Sequence, residues 1–168
     1  MKRNQIFLIF LFLTEISFAQ KLDFDKIKFN DLGFYSSKNQ IIEKLGIPKK
    51  EYIVNYECGD FSTEEQGEIY YSLDYGSIRF TGNENVKYVI EIIDFKNDKS
   101  LILYYQKHKL TSETTLNELL NIFGKEIIQQ LEDKSNGTFI IQHPEYDNGI
   151  RIEIKKGKLI RLEYWSPC

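Results

Sequence analysis

Ser37-Lys38-Asn39-Gln40-Ile41-Ile42-Glu43-Lys44-Leu45-Gly46 decides the fold, because the chain repeats its pattern in Thr115-Leu116-Asn117-Glu118-Leu119-Leu120-Asn121-Ile122-Phe123-Gly124. Each copy opens on a hydroxyl residue, with Gln40 or Glu118 three positions on. That spacing is a capping box, in which two side chains satisfy backbone N–H groups reciprocally. Each copy closes on glycine, which reaches the left-handed conformation after a helix at least cost. Ile41, Ile42 and Leu45 match Leu119, Leu120 and Phe123 on one helical face. The reading is two helices of about two turns, each too short to stand without tertiary packing.

The alignment extends outward. Leu32 falls over Leu110, and Leu22–Phe29 and Leu101–Tyr105 both read as extended. Downstream, Tyr75-Gly76-Ser77-Ile78-Arg79-Phe80 matches Asn148-Gly149-Ile150-Arg151-Ile152-Glu153. Period-two alternation predicts strands over 52–57, 69–74, 77–81 and 86–95 in the first copy. In the second it predicts strands over 126–131, 138–142, 149–155 and 158–165. Lys156-Gly157 makes a tight hairpin turn between the last two. Hairpins between consecutive strands make the sheet antiparallel. The expected class is α+β: two tandem repeats, 20–99 and 100–168, each a short helix on an antiparallel meander, with room for one continuous sheet.

Residues 1–19 read as a secretory leader. Lys2 and Arg3 precede the apolar run Ile6–Leu13, and Ser17-Phe18-Ala19 offers a cleavage site before Gln20. That run is too short to span a bilayer, and no later stretch is long enough. No cysteine follows the cleavage site, which argues against a lipid anchor. The expected location is secreted or periplasmic, with no membrane insertion after cleavage.

The 168 residues carry 22 basic and 25 acidic side chains, a net charge of −3. That balance argues against a nucleic-acid partner, which calls for a basic excess. Cys58 and Cys168 stay open between a disulfide, which an oxidising compartment permits, and two thiols. His108 and His143 stand apart, so no metal pair is formed, and the dispersed glycines make no phosphate loop. No cofactor is expected.

Leu45-Gly46-Ile47-Pro48, the tyrosine-rich Ile69-Tyr70-Tyr71 and the hairpin Tyr75–Phe80 together resemble the beta-lactamase-inhibitor-protein superfamily. The same small fold occurs in an outer-membrane-assembly lipoprotein family. The resemblance runs from about Phe24 to Trp165. The second copy departs from the motif, since Lys125 follows Gly124 and no proline is present. The resemblance implies non-catalytic protein binding through a concave sheet face and protruding loops. It carries no inhibitory contact residue across, and it names no target enzyme.

Candidate contact residues come from the strands and from one acidic loop, Glu57–Gln66, with Phe61 as its anchor. Tyr70, Tyr104 and Trp165 fall opposite the assigned core face, and Arg79 points outward. Aromatic side chains bury large area while keeping a polar tip. The leading expectation is an exported inhibitor or immunity protein that grips an unidentified protein partner. The alternatives are an envelope assembly scaffold and a small hydrolase using a carboxylate or Cys58. The oligomeric state is left open.

Overall fold

The computed structural model of the protein describes residues 22–168, so the expected leader lies outside the described residues. Two eight-residue helices form where the capping boxes place them: α1 (Lys38–Leu45) and α3 (Leu116–Phe123), with a short α2 (Thr63–Gln66) between. Ser37 Oγ accepts from Gln40 N at 3.3 Å, and Gln40 Oε1 accepts from Ser37 N at 2.9 Å. Thr115 and Glu118 repeat the exchange at 3.3 and 2.7 Å. The helices stop at Gly46 (φ 79°) and Gly124 (φ 107°).

The two helices sit at different depths. α3 buries Leu116, Leu119, Ile122 and Phe123, whereas α1 buries Ile41 alone. Lys38 and Lys44 occupy in α1 the places that Leu116 and Ile122 hold in α3. Ammonium groups are costly to bury, so α1 rides higher on the core.

The strands are β1 (Ile27–Phe29), β2 (Leu32–Gly33), β3 (Tyr35–Ser36), β4 (Lys50–Ile53), β5 (Tyr71–Asp74) and β6 (Ile78–Asn83). They continue as β7 (Lys87–Asp94), β8 (Leu103–Tyr105), β9 (His108–Leu110), β10 (Asn136–Gln142), β11 (Gly149–Lys155) and β12 (Lys158–Trp165). A large antiparallel sheet runs β10-β11-β12-β7-β6-β5-β4, and a small one runs β2-β1-β8-β9. Chain segments on either side of residue 100 pair in both sheets, β12 with β7 and β1 with β8. Each of the two antiparallel sheets is thus continuous across residue 100.

β7 lies at the centre. Six consecutive residues of it are buried, as a strand covered on both faces requires. One of its edges serves two neighbours: β12 pairs with Ile92–Asp94 and β3 with Tyr88 and Val89. By register, Leu73, Phe80, Ile93, Leu162 and Ile152 share one face of the large sheet. They join Leu119, Phe123, Leu103 and Tyr105 in one hydrophobic cluster that links both sheets and the helices.

Three expectations are corrected. The strand expected over 126–131 is a 3₁₀ helix, Lys125–Gln130, because Gly124 turns the chain out of line. Gln130 then bonds both backbone groups of Ile140 at 2.9 Å, and its amide takes the place of a neighbouring strand at the edge of β10. The extended stretch at Leu22–Phe29 is interrupted by a 3₁₀ turn, Phe24–Lys26, capped by Asp23. The strand expected over 52–57 pairs only as far as Ile53, after which the chain leaves the ladder.

Candidate functional site

The residues that leave the ladder after β4 build the most unusual part of the molecule. Val54 N still bonds Tyr70 O, but Tyr56 reaches past β5 and β6 to donate its phenol to Glu91 on β7. Cys58 is then disulfide-bonded to Cys168, with Cα atoms 5.1 Å apart. Asp60 N donates to Ser166 Oγ at 3.1 Å. Gly59 has φ 86°, and a Cβ there would meet Ser166 Oγ at 2.4 Å, so only glycine lets the C-terminal tail approach this closely. The segment therefore lies over the sheet face opposite Phe80 and Ile93.

This arrangement corrects two expected contact residues. Phe61 is not a protruding anchor: it is 9% exposed, packed 5.6 Å from Tyr70 and 5.3 Å from Tyr164. Tyr70 is 5% exposed for the same reason. Tyr70 was read as facing away from the core, and the folded-back segment covers it there. Tyr104 is partly exposed but belongs to the small sheet, where Lys109 Nζ lies 5.8 Å from its ring centre. Arg79 and Trp165 both belong to the large sheet: Arg79 is bonded to Glu91, and Glu91 and Trp165 line one cleft.

Glu91 is the residue that sequence reading missed. It sits where the β6–β7 ladder slips, between Arg79 paired with Ile92 and Phe80 paired with Ile90. A bulge re-aims a side chain, and here it turns a carboxylate onto the polar side of the strand. Glu91 is 4% exposed. Arg79 donates Nε to Oε2 at 2.8 Å and Nη2 to Oε1 at 2.9 Å, and Tyr56 and Thr81 donate their hydroxyls. Burial works against the Arg79 charge, but the hydrogen bonds and charge of Glu91 outweigh it and hold the guanidinium more firmly protonated. Burial, then Glu91, pushes the Tyr56 phenol far above its usual range. Four donors on one carboxylate make an anchor. The sequence signal was one acid inside Tyr88–Ile93, with an arginine on the neighbouring strand.

Beside the anchor lies a cleft of about 230 Å³, lined by Tyr56, Glu91, Arg151, Glu163, Trp165 and the disulfide. Past it the face of β10–β12 carries no covering element among the described residues. Arg151 is paired across from Glu163, with 3.8 Å between charged atoms, and Glu153 is registered with Arg161. Arg161 Nε is buried without a hydrogen-bond partner among the described residues. Under the cleft, Asn148 Nδ2 donates to Asp60 Oδ2 at 3.0 Å and to Tyr164 Oη at 2.8 Å. The Tyr164 phenol in turn donates to Asp60. Burial and Asp60 hold that phenol protonated well above its ordinary range.

These tyrosines predict an alkaline limit. Burial raises Tyr35 and Tyr88 from 10.0 to about 12, with help from nearby carboxylates. Below the unfolded value the stabilisation is fully present. Between it and the folded value the unfolded chain loses protons that the native one keeps, so stability falls as pH rises. The urea midpoint should drop between about pH 10 and about pH 12. In the same range the native phenolate absorbance should lag that of unfolded protein. Eleven tyrosines ionising together near their ordinary value, with an unmoved midpoint, would contradict this.

The other reactive side chains are placed apart from this cluster. The Cys58 sulfur is bonded to Cys168, so it offers no thiol nucleophile and corrects that form of the hydrolase expectation. His108 lies on β9, whereas His143 stacks against Phe24 and accepts from Glu145 N. No group of three or more His, Cys, Asp or Glu among the described residues could hold a metal ion. No described helix is long and apolar enough to cross a membrane. Comparison with protein-family models, with curated proteins and with solved structures finds no match for this chain.

Proposed function

We propose that this chain is an exported, non-catalytic protein-binding module of the beta-lactamase-inhibitor-protein kind, acting as an inhibitor or immunity protein on an envelope or extracellular enzyme. The observation that carries the reading is the bare face of β10–β12. Arg151, Glu153, Arg161, Glu163 and Trp165 are all partly exposed there, with no described helix or strand over them. Tryptophan and arginine beside paired charges of both signs make a surface for a folded partner.

We also read the chain as two tandem repeats. Supporting this, β4-β5-β6-β7 and β10-β11-β12 meet at their last strands, and the hairpins β1-β2 and β8-β9 meet at their first. The matched capping boxes fall in the same order. Export is supported by the leader-like residues 1–19 together with a disulfide, which an oxidising compartment maintains.

The test is affinity capture of the tagged protein from its own cells and medium, then binding of the recovered partner in pure form. Trp165→Ala and Arg151→Glu should each weaken that complex about tenfold or more. Capture of no partner under several conditions would overturn the reading. So would a partner bound equally well by both variants.

A further inference from the structure

Tyr164 lines the disulfide cleft, and its hydrogen-bond partner Asn148 lines a second hollow of about 540 Å³. This hollow lies among the Phe24–Lys26 turn, β3 and the loop from β10 to β11. Its walls are aromatic. Phe24 stacks on His143 with centroids 5.4 Å apart, His143 lies 4.6 Å from Tyr146, and Tyr35 stands edge-on to Phe24 at 6.0 Å. Tyr35 and Tyr146 are 40% and 62% exposed, so both rings remain accessible.

Asp23, Asp25 and Glu145 also line the hollow, and among the described residues no lysine or arginine does. None of the three carboxylates takes part in an ion pair among the described residues. Asn148 has its amide nitrogen engaged twice, yet its Oδ1 is buried with no donor among the described residues. Acceptors are thus in surplus around π faces, with no lysine or arginine among the described lining residues.

We propose that this hollow binds an organic cation, the ammonium or guanidinium head of a small amine or of a lysine or arginine side chain. Aromatic faces attract such heads through the ring quadrupole, and carboxylates add long-range attraction. A metal ion does not suit the site, because the carboxylates are too dispersed to coordinate one. The volume lies in the range of small-molecule sites. The raised Tyr35 phenol, which after burial responds to Asp60 and Asp25, reports the same negative field. The inference is independent of the β10–β12 face.

The experiment follows backbone amide shifts of the purified protein during titration with choline and with its neutral isostere, in which carbon replaces the quaternary nitrogen. Butylguanidinium and a short lysine-containing peptide form parallel arms, all at constant ionic strength. Choline should shift Tyr35, His143 and Tyr146 and bind at least about fivefold tighter than the isostere. Asp25→Asn combined with Glu145→Gln should weaken it by a similar factor, and Tyr146→Ala should weaken it without unfolding the chain. Tighter binding of the peptide than of the free cations assigns the ligand to a protein side chain, and the reverse assigns it to a small amine. Equal binding of the isostere, or a double variant that binds as well as the native protein, would overturn the proposal.

Discussion

Arg79→Leu should lower the unfolding free energy by about 3–5 kcal/mol, because it strands the Glu91 carboxylate in the interior without its counter-charge. The bidentate contact is the main compensation for burying that charge, and Tyr56 and Thr81 hydroxyls alone cannot replace it. The double variant Arg79→Leu/Glu91→Leu removes both charges and should recover a large part of the loss. Urea unfolding at neutral pH measures all three. A single variant that costs under about 1 kcal/mol, or a double variant as damaged as the sum of its parts, would contradict the assignment of Glu91 as a buried anchor. The local consequence is also specific. Without Glu91, Tyr56 loses the hydrogen bond that carries it across the sheet, one of several attachments of the segment from Val54 to Phe61.

The disulfide is the covalent attachment of the same segment. Cys58→Ser combined with Cys168→Ser should cost about 2–4 kcal/mol, mainly because the bond closes a loop between residues 110 apart and so restricts the unfolded chain. The fold should persist, since the hydrophobic cluster does not depend on the bond. Near-ultraviolet dichroism should change, because Tyr56 and Phe61 lie in the tied segment and Phe61 packs on Tyr164. A reductant should lower the urea midpoint of the native protein and leave the serine variant unmoved. Equal midpoints for oxidised and reduced protein would show that tail and segment are held without the bond.

Much of the architecture was legible because it is written locally. Ser37 with Gln40 and Thr115 with Glu118 exchange hydrogen bonds within one turn, so residue type and spacing suffice to locate both helices. The alternation Ile150, Ile152, Ile154 against Arg151 and Glu153 assigned β11 to its residues and its faces. The failures share one cause. Glu126–Leu131 has the composition of a strand, but its conformation follows from Gly124 and from the edge of β10 that Gln130 occupies. Phe61 looked like an exposed anchor because its neighbours are acidic. Its burial comes from Tyr70, which the folded-back chain brings over it, and from Tyr164, which is distant in sequence.

The residues taken alone determined the antiparallel α+β character, the helix caps, the hairpin turns and the alternation that sorts core from surface. Each of these depends on interactions within a few positions along the chain. Only the tertiary structure decided that β7 joins β12, that β3 borrows the rest of that edge, and that the chain after β4 lies across the sheet. It also decided that Glu91 is enclosed, that Cys58 finds Cys168, and that aromatic and acidic side chains from three separate segments surround one hollow. Those arrangements rest on contacts between residues tens of positions apart. Their energies come from which groups exclude water from one another, a property of the packed molecule that no short stretch of sequence carries.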